Sequence, residues 1–104
     1  MAEYIRVSTD HFVLRPSNIT PVQAAGITLA GLISYQALIH VGKLEPEQTV
    51  FVNGGSTAVG AFAMQIAKAK GARVVTTPEK RGFRARKMGA DEVRTLTEDL
   101  YFVL

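Results

Sequence analysis

A glycine-rich turn after a short apolar run is the segment of this sequence best suited to chemistry. The run covers residues 50–52, and glycines follow at positions 54, 55 and 60. In a strand–turn–helix unit, such glycines let backbone N–H groups approach a pyrophosphate, and the helix directs the positive end of its dipole at the same anion. Nearby hydroxyl groups can donate to the phosphate oxygens. The predicted phosphate contacts are Gly54, Gly55, Ser56, Thr57, Ala58, Val59 and Gly60.

The spacing of these glycines departs from the strict Gly-x-Gly-x-x-Gly pattern, and a glycine-rich turn alone is a weak signal. The alternative interpretation is an ordinary connection between a strand and a helix. The β-forming run before the turn, the helical spacing after it and a second apolar run at residues 73–77 favour nucleotide binding.

The end of that second apolar run bears on which nucleotide is bound. NAD-binding units usually place a carboxylate there for the ribose 2′-hydroxyl, whereas NADP-binding units present cations. Here Glu79 comes late, and Lys80 and Arg81 follow it directly. We therefore predict that the chain binds NADP(H), with Thr76, Lys80 and Arg81 around the 2′-phosphate. Glu79 is the observation that favours NAD(H) instead.

Composition excludes several kinds of site. The sequence of 104 residues contains no cysteine, which rules out disulfides, cysteine-based zinc sites and a cysteine nucleophile. His11 and His40 are too far apart in sequence for a metal-ligand spacing, so no metal site is predicted. No side chain stands out as a general acid or base, and we assign no catalytic residue.

Charge and hydropathy limit the partners. The net charge is +3, and a cluster of bases lies between Arg73 and Lys87 with Phe83 as its one aromatic residue. This pattern favours a solvated helix face or a small phosphate over nucleic acid. The apolar residues 24–41 approach the length of a membrane span, but interrupting polar residues favour a buried helix. We expect a cytoplasmic protein, because the N-terminus also lacks the features of a signal peptide.

The hydrophobic pattern predicts two kinds of element before residue 49. Residues 2–7 and 12–15 alternate as short strands do. Thr20 followed by Pro21 marks the start of a helix, which we expect to break at Gly26. A second helix is predicted over residues 29–41, ending before Gly42.

From residue 49 onward, the predicted order is strand, turn, helix, strand, helix, strand. An α/β fold with a Rossmann-type parallel βαβαβ half-sheet follows from this order. Both longer strands are expected to be buried on both faces, because their apolar runs are continuous. The predicted strands are 49–52, 73–77 and a short one after residue 89, and the helices are 57–70 and 80–88.

The stretch GLISYQALIHVGKLEPEQTVFVNGGSTAVGAFAMQIAKAKGARVVTT, with MGADEV after it, resembles the cofactor domain of the medium-chain dehydrogenases/reductases, in their quinone-oxidoreductase branch. Gly54, Ser56, Val59 and Gly60 match that branch's A/G-x-S-G-G-V-G turn. The resemblance extends over about residues 2–99. It implies zinc-independent hydride transfer between NADPH and a quinone, enone or related carbonyl compound.

Several positions qualify the resemblance. Thr57 and Ala58 stand where the turn usually has two glycines, and Ile33 stands where relatives usually have a threonine near the nicotinamide. Leu29 stands where zinc-dependent relatives often place a cysteine ligand. Tyr35 matches a family tyrosine near the nicotinamide, although filling the helix–sheet interface is an equal alternative.

The resemblance divides the chain into residues 1–20, the tail of a catalytic-domain-like segment, and residues 21–104, a partial NADP(H)-binding domain. Because most of the catalytic domain has no counterpart here, we expect a fragment or truncated product of an NADP(H)-dependent oxidoreductase. The alternative is a non-catalytic remnant that binds nucleotide weakly or pairs with other subunits. An exposed sheet edge and apolar helix faces would favour a homo-oligomer.

Overall fold

The computed structural model describes residues 2–77 and 83–94, of which residues 83 and 84 are described by their backbone alone. A short 3-10 turn precedes three helices and three strands. The elements are the 3-10 turn Thr9–His11, α1 Pro21–Tyr35 with a π-helical continuation Gln36–Val41, β1 Thr49–Val52, α2 Ala58–Ala69, β2 Arg73–Thr76, α3 Phe83–Lys87 and β3 Glu92–Val93.

The three strands form one parallel sheet in the order β1-β2-β3. In the register of β1 and β2, Val52 lies opposite Thr76, so the carboxyl ends of both strands reach the same edge of the sheet. The βαβαβ order predicted from the sequence is confirmed.

The core lies between the sheet and α2. Met64 and Ala67 of α2 and Val74 of β2 are fully buried. Burying a side chain such as Met64 stabilises the fold by about 1.5–3 kcal/mol. The prediction that β1 is buried on both faces is wrong, because successive strand side chains point to opposite faces and Phe51 is 50% exposed.

Helix α1 begins as the sequence predicts but does not break. Thr20 and Gln23 form a capping box ahead of Pro21. The helix then runs through Gly26, because an isolated glycine costs only about 1 kcal/mol relative to alanine. The two predicted helices are therefore one, which packs against α2 and continues as a π-helix to Val41.

The predicted N-terminal strands are absent from the described part of the chain. Residues 2–8 and 12–15 carry no strand pairing, and Thr9–His11 form a 3-10 turn where a polar turn is predicted. Alternation of apolar and polar residues gives an extended backbone, but a strand also needs a hydrogen-bonding neighbour. Here the apolar side chains of Tyr4, Val13 and Leu14 stay exposed.

The helix from Pro21 to Val41 is long and apolar enough to cross a membrane, with a mean hydropathy of 1.4. Only 11% of its most apolar stretch is buried. One such helix is weak support for a span, because core helices of soluble proteins meet the same criterion.

Candidate functional site

The glycine turn lies at the carboxyl edge of the sheet, between β1 and α2. Gly54 has a φ of +72°, in the left-handed region that favours glycine. Its N–H donates to Thr77 Oγ1 at 2.9 Å, and the N–H of Gly55 donates to Thr76 Oγ1 at 3.1 Å. The N–H groups of both glycines thus point into the protein, which the sequence analysis did not foresee.

Thr76 does not have the position predicted for a 2′-phosphate contact. Its side chain is fully buried, and its hydroxyl donates to the carbonyl oxygen of Val52 at 2.6 Å while it accepts from Gly55. A hydroxyl has a single proton to donate, and this one is used inside the sheet. The assignment of Thr76 to the 2′-phosphate is therefore corrected.

Thr57 caps α2. Its Oγ1 accepts from the N–H of Gly60 at 3.1 Å and donates to the carbonyl oxygen of Gly54 at 2.8 Å. The single proton of the Thr57 hydroxyl is therefore used in the bond to Gly54, whereas the sequence predicted that it donates to phosphate. Thr57 has a φ of −71° and Ala58 lies in the helix, so the backbone requires no glycine at either position.

Two glycines of the turn permit close approaches that a side chain would block. A Cβ on Gly60 would lie 2.3 Å from the carbonyl oxygen of Gly54 and 2.8 Å from the Cα of Gly55. A Cβ on Gly55 would lie 2.3 Å from Thr76 Oγ1. The turn is thus packed tightly against both the start of α2 and the end of β2.

Three N–H groups remain for a ligand. Within the described part of the chain, those of Ser56, Ala58 and Val59 have no hydrogen-bond partner. Ala58 and Val59 form the first turn of α2, where N–H groups and the helix dipole together favour an anion. This arrangement suits a phosphate group, as the sequence analysis predicts for this segment.

Comparison with known proteins gives close matches along most of the chain, although no protein-family model matches it. A chloroplastic quinone oxidoreductase of Triphysaria versicolor is 33% identical over an alignment of 99 positions, which covers 89% of this chain and 30% of that protein. A trans-enoyl reductase of Aspergillus terreus is 33% identical over an alignment of 94 positions, which covers 89% of this chain and 26% of that enzyme's length. The Escherichia coli quinone oxidoreductase complexed with NADPH has a TM-score of 0.74 and 31% identity, covering 83% of this chain and 27% of that one.

The chain belongs to the quinone-oxidoreductase-like branch of the medium-chain dehydrogenases/reductases. The predicted family and the Rossmann-type fold are confirmed. The chain spans about a quarter of the length of the curated relatives it matches. The nucleotide in the Escherichia coli complex is the one that the sequence predicts for this chain.

Ser34 is a site residue that the sequence analysis missed. It is 99% buried in α1, and its hydroxyl contacts the carbonyl oxygens of Ala30 at 2.7 Å and Val59 at 2.8 Å. Since Val59 lies in the first turn of α2, Ser34 fixes α1 against the N-terminal end of that helix. The available signal was its small polar side chain directly after the apolar residues 29–33.

The remaining predicted site residues are Tyr35, on α1, and two cations outside the described part of the chain. Tyr35, at the end of α1, is 46% exposed and packs edge-on against His40 with ring centroids 5.3 Å apart. It does not fill the helix–sheet interface. Lys80 and Arg81 lie outside the described residues.

Charged groups gather at the opposite, amino end of the sheet. Lys68 Nζ contacts both carboxylate oxygens of Asp91, at 2.8 and 2.9 Å, and the N–H of Val74 donates to the same carboxylate at 2.7 Å. The hydrogen bond from Lys68, followed by that from Val74, lowers the pKa of Asp91. Glu92, the first residue of β3, pairs with Arg73 and also with Arg94, which follows β3 at the carboxyl edge and donates its N–H to the carbonyl oxygen of Thr76. The hydrogen bond from Arg94 lowers the pKa of Glu92.

Proposed function

We propose that this chain binds NADP(H) at the carboxyl edge of the sheet, as part of an oxidoreductase. The reaction of the whole protein is hydride transfer between this nucleotide and a quinone, enone or related carbonyl compound. The observation that carries the proposal is a set of N–H groups at the start of α2, those of Ser56, Ala58 and Val59, which have no hydrogen-bond partner among the described residues. They provide donors for a pyrophosphate where the helix dipole also favours negative charge.

The turn fits such a ligand sterically as well. Gly55 and Gly60 carry no side chain, so the loop lies close against the end of β2 and the start of α2. This close packing brings the first turn of α2 to the sheet edge, where ligands of open α/β sheets bind. The residues here therefore bind and orient the nucleotide, whose nicotinamide supplies or accepts the hydride when bound.

The preference for NADP(H) rests on the cations after β2. Lys80 and Arg81 follow the strand that ends at Thr76, in the region where NADP-binding units carry positive charge. Relatives support this choice, since the Escherichia coli quinone oxidoreductase is complexed with NADPH. Names of relatives also support the substrate class, because they include quinone oxidoreductases and a trans-enoyl reductase.

The test is a fluorescence titration of NADPH and NADH with the variant that combines Lys80→Ala and Arg81→Ala. We expect NADPH affinity to fall at least about tenfold, or about 1.4 kcal/mol, while NADH affinity barely changes. The matched control combines Arg86→Ala and Lys87→Ala, which removes the same charge from exposed positions of α3. Equal losses for both nucleotides would reduce the first pair to a general charge effect, and no loss for either would refute the NADP(H) assignment.

A further inference from the structure

Two consecutive threonines at the carboxyl end of β2 hold the glycine turn. The hydroxyl of Thr76 accepts a hydrogen bond from the N–H of Gly55, and that of Thr77 accepts one from the N–H of Gly54. Thr76 is 0% exposed and Thr77 is 6% exposed, so neither hydroxyl is open to a ligand in solvent. Their contacts lie instead inside the protein, on the inner side of the turn.

Each of these hydroxyls also donates a bond to the end of β1. Thr76 donates to the carbonyl oxygen of Val52, and Thr77 donates to Asn53 Oδ1 at 3.1 Å. A hydroxyl can accept from one group and donate to another at the same time, which a valine of the same shape cannot do. The pair therefore links the turn to the end of the preceding strand.

These bonds divide the N–H groups of the turn into two sets. Those of Gly54 and Gly55 are turned toward β2, and those of Ser56, Ala58 and Val59 are left without partners among the described residues. We propose that Thr76 and Thr77 are positioning residues, which set the shape of the turn so that this second set faces an incoming phosphate. The inference rests on the proposed function, since it takes the turn as the pyrophosphate site.

Thr77 is the better position for a test, because Thr76→Val would also leave the buried carbonyl of Val52 without its donor. Thr77→Val removes the hydroxyl and keeps the shape, and Thr77→Ser restores the hydroxyl. Thr28→Val is the matched control, because Thr28 is exposed on α1 and its hydroxyl donates to the carbonyl oxygen of Ala25 within that same helix. Calorimetric titrations use inorganic pyrophosphate and NADPH as separate probes, and amide hydrogen exchange reports on Gly54.

We expect Thr77→Val to lower the affinity for both pyrophosphate and NADPH by about tenfold. This loss corresponds to the free energy of one hydrogen bond, near the upper end of the usual range. Thr77→Ser should bind within about twofold of the parent chain, and Thr28→Val should be unchanged. The Gly54 amide should exchange faster in Thr77→Val only. Rescue by serine separates positioning from a general loss of packing, because serine restores the hydroxyl but not the methyl group.

Four outcomes decide between the inference and the proposed function. Parent-like pyrophosphate binding by Thr77→Val, or an unchanged Gly54 exchange rate, would overturn the positioning role and leave nucleotide binding standing. Binding of pyrophosphate but not NADPH by the parent chain would refute the proposed function, while the variants still decide the inference. Failure of the parent chain to bind either probe would overturn both.

Discussion

The two ends of the parallel sheet hold their polar groups by different means. At the amino end, Lys68 and Asp91 form an ion pair, and the Asp91 carboxylate also accepts the N–H of Val74. At the carboxyl end, the neutral hydroxyls of Thr76 and Thr77 hold the turn. No carboxylate among the described residues bonds to the turn. The two threonine hydroxyls that hold the turn are neutral, so they do not repel an anion bound there.

The largest effect is expected from the carboxyl end. Gly60→Ala places a methyl group 2.3 Å from the carbonyl oxygen of Gly54, and no side-chain rotation relieves a clash with backbone. We expect a loss of about 3 kcal/mol in the free energy of unfolding, measured in urea, together with the loss of NADPH binding.

Gly26→Ala is the matched control for that substitution. A Cβ at Gly26 meets nothing within 4 Å, and Gly26 lies inside α1. Alanine should therefore stabilise the chain by about 0.5–1 kcal/mol through its better helix propensity. Similar effects of the two substitutions would contradict the tight packing assigned to the turn.

A smaller, pH-dependent effect is expected from the amino end. Because Lys68 and Val74 lower the pKa of Asp91 below its ordinary value of 3.8, its stabilising contribution is present above that pH. It is lost as the pH falls through the lower pKa of the folded state. Asp91→Asn should therefore lower stability at neutral pH, and the difference from the parent chain should shrink below pH 3.8.

Unfolding curves between pH 2 and 7 measure this difference. The affinity of the Asp91→Asn variant for NADPH should match that of the parent chain, since Asp91 lies at the other end of the sheet from the turn. A difference in stability that stayed constant with pH would show that the ionised carboxylate is not what matters at Asp91.

The smallest effect is expected from Arg94→Gln. The Arg94 side chain is 61% exposed, and it pairs with Glu92, which keeps Arg73 as a second partner. Exposed ion pairs contribute little, because solvent and salt screen them. The urea midpoint should shift only slightly, and the shift should disappear at high salt; a shift comparable to that of Asp91→Asn would contradict the ranking.

Much of the fold could be predicted because its signals are local. The apolar run of β1, the helical spacing of α2 and the glycine turn between them all lie within residues 49–69. The break at Gly26 was predicted wrongly because the low helix propensity of one glycine costs too little to interrupt a helix that continues on both sides. The N-terminal strands were predicted wrongly because alternation does not supply a pairing partner.

The site was predicted less completely than the fold. Sequence placed the turn correctly, but it assigned Thr76 to the ligand when that hydroxyl is bonded to Val52 and Gly55. Such bonds join positions more than twenty residues apart, and composition does not show which way a side chain points at the end of a strand. Ser34 was missed for the same reason, since its partner Val59 lies on another helix.

These long-range bonds also set an order of events during folding. The partners of the Gly54 and Gly55 N–H groups lie 23 and 21 residues further along the chain. A nascent chain that has emerged only as far as α2 contains every residue of the turn but neither threonine that holds it. The turn can take its final shape only after β2 has closed that loop beside β1, so it forms only once the chain has been synthesised beyond Thr77.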